Sequence, residues 1–231
     1  DPEVGYVTGK MVYVTEDGSL VGDGCSAYMK YENWLRDQET RLASVIGVDG
    51  GVDAVRKSLF EKMRADQLPD FVLPLSVARR GHRVVYEPRA LLKEAALSQH
   101  EAEYRMRVRV GLRALWALSD LRALLNPLRH GLLAFQLISH KLLRYLAFVP
   151  LALVLVTSIA LSGSHELYLA AALGQLVFYA LAIVGWTTGS QSRSAVIGIP
   201  YYFLLLNLAT AHAALRFLRR ERQATWAPRT G

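Results

Sequence analysis

Between positions 145 and 215 the chain carries only two charged residues, Glu166 and Arg193. A stretch that long and that poor in charge cannot form an ordinary solvated surface, so it packs in a core or faces lipid. Three apolar runs stand out at about 146–161, 167–186 and 195–218. Each approaches the roughly 20 residues a helix needs to cross a bilayer; the first does so only by borrowing from 142–145. Tyr168, Tyr179, Trp186, Tyr201 and Tyr202 supply candidate interfacial anchors. The rest of the charge is placed to match. Residues 126–231 hold 9 Lys+Arg against 2 Asp+Glu, whereas residues 1–125 hold 18 of each, so the whole net charge of +7 sits in the apolar half. Basic flanks around apolar runs point to a membrane and away from nucleic acid, whose partners line one solvated face with positive charge. One conflict follows. Three spans place the basic 101–145 region and the basic tail on opposite sides, while the positive-inside tendency wants both on the cytoplasmic side.

The first 95 residues alternate strand and helix signals, as an α/β domain does. Residues 4–14 are β-branched and aromatic and predict one or two strands. Glu16-Asp17-Gly18 is a turn signal, and 26–46 predicts a helix. Residues 47–55 form a glycine-rich loop running into a short strand, followed by a short helix through Ser58-Leu59-Phe60. A helix from about 71 to 80 is capped by Asp70 and stopped by Gly81. Residues 82–87 alternate like a strand that Pro88 ends. Residues 101–125 predict a long amphipathic helix with Tyr104, Val108, Leu112 and Leu115 on one face and Arg105, Arg109 and Arg113 in one basic stripe. Asn126-Pro127 breaks it. Residues 128–145 are too polar for a span and suit a helix lying in the interface. The single cysteine, Cys25, excludes an internal disulfide and any cysteine-based zinc site. No P-loop, GxGxxG or HExxH pattern occurs.

Several stretches, taken in order, carry a resemblance. DPEVGYVTG, YENWLRDQE, GVDGGVDAVRKSLF and LPDFVLPLSVARRGHRVVYEP, followed by the apolar runs, resemble the C-terminal half of membrane-embedded family 2 glycosyltransferases of the hyaluronan-, cellulose- and poly-N-acetylglucosamine-synthase type. The resemblance implies the fold class: a partial GT-A-like, Rossmann-like α/β domain over 1–100, interfacial helices over 101–145, about three transmembrane helices over 146–218 and a basic tail over 219–231. It implies inverting transfer of a sugar from a nucleotide-sugar donor to a hydroxyl of a glycan or lipid-linked acceptor, at a bacterial-type plasma membrane with the catalytic region cytoplasmic. It also implies a divalent metal, Mg or Mn, whose ligands lie in a segment preceding this one. Asp1 to Val7 read like the middle of a domain, so the expectation is a chain that begins partway through a longer protein. On this reading the isolated chain binds no nucleotide sugar and catalyses nothing alone.

The resemblance also assigns roles. Asp70 falls where the family's general base stands, with Pro69 in place of a preceding acid. Arg109 falls where the arginine of its Gln-x-x-Arg-Trp stretch faces the diphosphate, with Val110 where polymer-making members carry tryptophan. Each role has a plainer alternative. Asp70 at a helix start is by spacing alone an N-cap. Arg105, Arg109 and Arg113 are by spacing alone a solvated face with partners such as Glu101; the resemblance prefers Arg109 and leaves the others open. Gly50 and Gly51 allow either close approach to a sugar or an ordinary tight turn. His140, Lys141 and Arg144 suit snorkelling anchors at a membrane edge better than contacts to a lipid phosphate. Tyr31, Glu32 and Trp34 are expected to pack, and Asn207 and His212 to face protein. Two rival classes are a non-catalytic membrane-anchored docking subunit and, last, a small-molecule transporter or channel, which calls for charges within the membrane.

Overall fold

A computed structural model describes residues 1–14, 24–95, 100–188 and 194–224. Among them three strands form one mixed sheet in the order β2-β1-β3. The central strand β1 (Val4–Val14) pairs antiparallel with β2 (Asp53–Val55) and parallel with β3 (Arg83–Ala95). Parallel pairing demands a long crossover. Helix α1 (Gly24–Leu42), β2, one 3-10 turn (Lys57–Leu59) and α2 (Pro69–Arg79) provide it.

Local chemistry explains two departures from expectation. Pro88 does not end β3. The pairing slips between Thr8/Tyr86 and Lys10/Leu91, so residues 87–90 loop out and Pro88 sits where no ladder N–H is required. Asp70 is not an N-cap. Pro69 takes the first helical position, for which its fixed φ suits it, so Leu68 becomes the cap residue and Asp70 falls in the first turn. Gly81, with φ of 82°, ends α2 as expected. The turn signal at 16–18, the Cys25 side chain, Arg193 and the tail beyond 224 lie outside the described residues.

Two buried clusters hold this part together. Tyr6, Val45, Leu73, Val77, Val84 and Tyr86 seal α2 against the sheet. Ile46, Phe71, Leu75, Leu118, Leu124 and Leu137 join α2 to α3 (His100–Asp120), the turn after it and the segment beyond. Each such side chain contributes on the order of 1.5–3 kcal/mol of burial. Asn126 caps α4 (Pro127–Gln136), accepting from the Leu128 N–H at 3.0 Å. A π-helical segment (Leu137–Leu142) and the short α5 (Leu143–Tyr145) follow. This stretch turns Gln136, Leu137, His140 and Lys141 inward and leaves Leu128, Leu132, Phe135 and Leu143 exposed. Its apolar outer side is what an interfacial helix presents to lipid.

The apolar half forms α6 (Phe148–Ala160), α7 (Glu166–Thr188) and α8 (Ala195–Leu218). Only α7 and α8 are individually long and apolar enough to cross a membrane. At 13 residues α6 covers about 20 Å of a hydrocarbon core about 30 Å thick. It cannot extend straight into 127–145, because the two meet at a 59° bend. Two helices therefore qualify as spans by themselves, and a third only if the bent pair 127–145 and 148–160 counts as one. The tail shares a side with α3: Arg222 pairs with Asp66, its guanidinium lies 4.0 Å from the Trp116 ring centre, and the Trp116 indole donates to the Glu221 carbonyl at 2.7 Å.

Helix α8 also leans on α3. Val108, Leu112 and Leu115, the face marked by their spacing, pack against Ala209 and Ala213. Gly111 allows the approach, since a Cβ there would lie 3.1 Å from that of Ala213. His212 meets the Tyr104 hydroxyl at 3.2 Å, and Asn207 donates to its own helix at the Phe203 carbonyl. Gly111→Leu is therefore expected to pry α8 from α3 and cost about 1–3 kcal/mol by overpacking. Hydrogen exchange along 202–217 measures it; unchanged protection there contradicts this packing.

Candidate active site

The site starts with a glycine. Residues 43–48 run from α1 past β3, held by the Val45 N–H on the Val84 carbonyl (2.9 Å) and the Val48 N–H on the Asp70 carbonyl (3.2 Å). The chain then turns through Gly50 at φ of 74°, a left-handed conformation that favours glycine. A Cβ at Gly50 would stand 2.2 Å from Asp70 Oδ1. The loop therefore lies directly on the Asp70 carboxylate. Gly51 faces elsewhere: its missing Cβ makes room for Leu92 of β3, so it serves packing.

Asp70 lines a cavity of about 260 Å³ together with Asp49, Arg36, Arg107, Arg109 and Lys141. Partial burial and the neighbouring charges of Asp53 and Asp49 raise its pKa from 3.8 to about 6, against a smaller pull from Arg113. Arg109 is half-buried across the same cavity, and its own pKa is lowered by burial and by Arg113. Asp70 thus touches Gly50 on one side and shares its cavity with Arg109.

The structure does not keep the arginine stripe together. Arg105 is exposed and pairs with Glu101. Arg113 reaches back to the carbonyls of Ala65, Asp66 and Gln67 and pins the loop that leads into α2. Residues four apart share a face, but α3 curves past three different surroundings, so each arginine answers to a different one.

Sequence reasoning missed the polar floor of the cavity. Glu32, Arg36 and Glu39 fall on one face of α1 and are all buried. Arg36 forms a two-pronged pair with Asp49, with Nη2 to Oδ1 at 2.5 Å, and donates to the Gly47 carbonyl at 3.3 Å. Glu39 accepts from the Ile46 N–H at 3.1 Å and meets His140 Nδ1 at 2.5 Å. Glu32 pairs with Arg144, and His140 Nε2 stands 3.6 Å from it. His140, Lys141 and Arg144 are therefore not snorkelling anchors; the acids of α1 draw them inward. Nor is Glu32 mere packing, while Tyr31 and Trp34 are exposed. Spacing held a signal, since Glu32/Arg36/Glu39 and His140/Arg144 are each helical stripes, but such stripes are usually solvated. Arg107, outside the predicted stripe, is held by Glu103 (2.8 Å) and Tyr202 (2.5 Å), with its guanidinium over Tyr28 and Tyr202.

Among the described residues no group of three or more His, Cys, Asp or Glu side chains converges. Asp49 is committed to Arg36, and Asp53 accepts from Thr8 and Tyr6.

Gly50→Ala is expected to cost about 1–3 kcal/mol through its left-handed backbone and to push Asp70 aside. Chemical denaturation checks the first effect. A variant as stable as the wild type contradicts the turn geometry. No family model matches this chain, and no curated protein matches it in sequence.

Proposed function

We propose that the protein acts as a membrane-bound glycosyltransferase, transferring a sugar with inversion from a nucleotide-sugar donor to a hydroxyl acceptor. The observation that carries this reading is the shared cavity of Asp70 and Arg109. Asp70 accepts the proton of the acceptor hydroxyl as its oxygen attacks the anomeric carbon. The bond from that carbon to the diphosphate breaks, and Arg109 faces the charge that develops on the leaving oxygens. A carboxyl with a pKa of about 6 suits this work: it is ionised at neutral pH yet basic enough to take a proton. The Gly50 loop lies against its other side.

The cavity volume of about 260 Å³ lies just below the roughly 300–1,000 Å³ typical of whole small-molecule sites. It suits the reacting end of an acceptor beside a diphosphate. Helices α7 and α8, with the exposed apolar side of 128–143, hold the site against the bilayer.

The test is direct. Membranes carrying the complete gene product are given radiolabelled nucleotide sugars, and label is followed into lipid-extractable and glycan fractions. Label enters one fraction with inverted anomeric configuration. No transfer above vector membranes from any common nucleotide sugar sinks the reading.

A further inference from the structure

Lys141 is the group in this cavity that the mechanism leaves unused. It is 8% exposed, yet among the described residues its ammonium makes no hydrogen bond and no ion pair within 4.0 Å. Its charged neighbours already have carboxylates: His140 Nδ1 meets Glu39, and Arg144 on α5 meets Glu32. The nearby acids are already engaged, Glu32 by Arg144, Glu39 by His140 and the Ile46 N–H, and Asp49 by Arg36. The backbone also makes room for the ammonium. A Cβ at Gly47 would lie 2.6 Å from both Lys141 Cε and Nζ. Glu32 and Glu39 attract the ammonium through space, yet neither comes within ion-pair distance, and a buried cation with no hydrogen-bond acceptor of its own is costly.

We propose that Lys141 is an anion-binding point for a phosphate group of a ligand that occupies the Asp70 cavity. The ammonium is a compact point charge with three donors, which suits phosphate oxygens. Its position favours a lipid headgroup as the source. Lys141 lies on the stretch whose outer side exposes Leu132, Phe135 and Leu143, and Tyr145, which leads into α6, lines the same cavity. The alternative source is the soluble diphosphate of a donor. Within the reading above, which this inference deepens, Lys141 anchors an acidic acceptor while Asp70 receives its hydroxyl proton. Phosphate binding itself requires no transfer, so the two ideas fail separately.

The experiment uses the complete gene product in nanodiscs. Binding is measured for inorganic pyrophosphate and, separately, for a polyprenyl monophosphate doped into phosphatidylcholine discs. The variants are Lys141→Met and Gly47→Ala, with Arg105→Met as an exposed control. The expected result is saturable binding of at least one probe, weakened about tenfold or more by Lys141→Met, a loss typical of a charge-assisted contact. Gly47→Ala weakens it too by displacing the ammonium, and Arg105→Met leaves it unchanged. Melting curves of each variant separate lost binding from lost folding: Lys141→Met, which fills the same buried place with an apolar side chain of similar length, is expected to melt cooperatively. Preference for the doped discs assigns the lipid source, and preference for pyrophosphate assigns the soluble one. Binding of neither probe by the wild type, or equal binding by Lys141→Met, overturns the proposal.

Discussion

Asp70→Asn in the complete gene product lowers the rate of sugar transfer by about 10²–10⁴-fold, the usual worth of a positioned base. The amide keeps the shape that fits beneath Gly50 but cannot take the acceptor's proton. The wild-type rate should rise with pH and level off above about 6, because the carboxyl must be ionised to act. Stability moves the opposite way. The folded-state pKa is raised above the ordinary 3.8, so the contribution of Asp70 to stability is fully present below that value and is lost as pH rises through about 6. Relative to wild type, Asp70→Asn therefore gains melting temperature between pH 4 and pH 8. An Asn variant that transfers sugar at the wild-type rate removes Asp70 from the chemistry. A variant inactive but also destabilised at high pH assigns it to structure instead.

The second large effect lies in the floor of the site. Glu32→Ala leaves Arg144 without its carboxylate and removes the acid beside His140 and Arg36, all from a buried place. Breaking such a buried pair costs about 3–5 kcal/mol. Arg105→Met, which breaks a pair whose side chains are each 74% exposed, costs about 0–1 kcal/mol. Chemical denaturation in detergent compares the two, and hydrogen exchange locates the loss in 137–145. Burial opposes the Glu32 charge, but His140, Lys141 and Arg144 outweigh it and hold its pKa well below the ordinary 4.5. Its stabilisation is thus present above 4.5 and lost as pH falls below it. The 137–145 segment should accordingly loosen in acid in the wild type and much less so in Glu32→Ala. Equal costs for the two substitutions refute the idea that this cluster docks the segment.

Some of the site was legible in advance. Asp70, Gly50 and Arg109 were singled out as residues; Asp70 and Arg109 line one cavity, and Gly50 lies against the Asp70 carboxylate. The apolar face of α3 was readable because Val108, Leu112 and Leu115 repeat at helical spacing. What spacing could not give was the environment of each polar residue. Arg105, Arg109 and Arg113 look equivalent along the helix, yet one meets solvent, one the cavity and one a loop of carbonyls. Pro88 misled for a similar reason: whether a proline ends a strand or occupies a bulge depends on a partner strand 80 residues away in sequence.

Apolar content and its periodicity are properties of consecutive residues, so helices α3, α7 and α8, the strand character of 4–14 and the break at Asn126-Pro127 could be read from order alone. Burial of charge is different. Glu32 and Arg144 are 112 positions apart, and neither gives a sign in its own neighbourhood that the other will neutralise it. Desolvation and Coulomb attraction act through space and grow as water is excluded. Which acids draw His140 and Arg144 inward, and why Lys141 is left facing the cavity, was therefore settled when α1 and the 137–145 segment closed on each other.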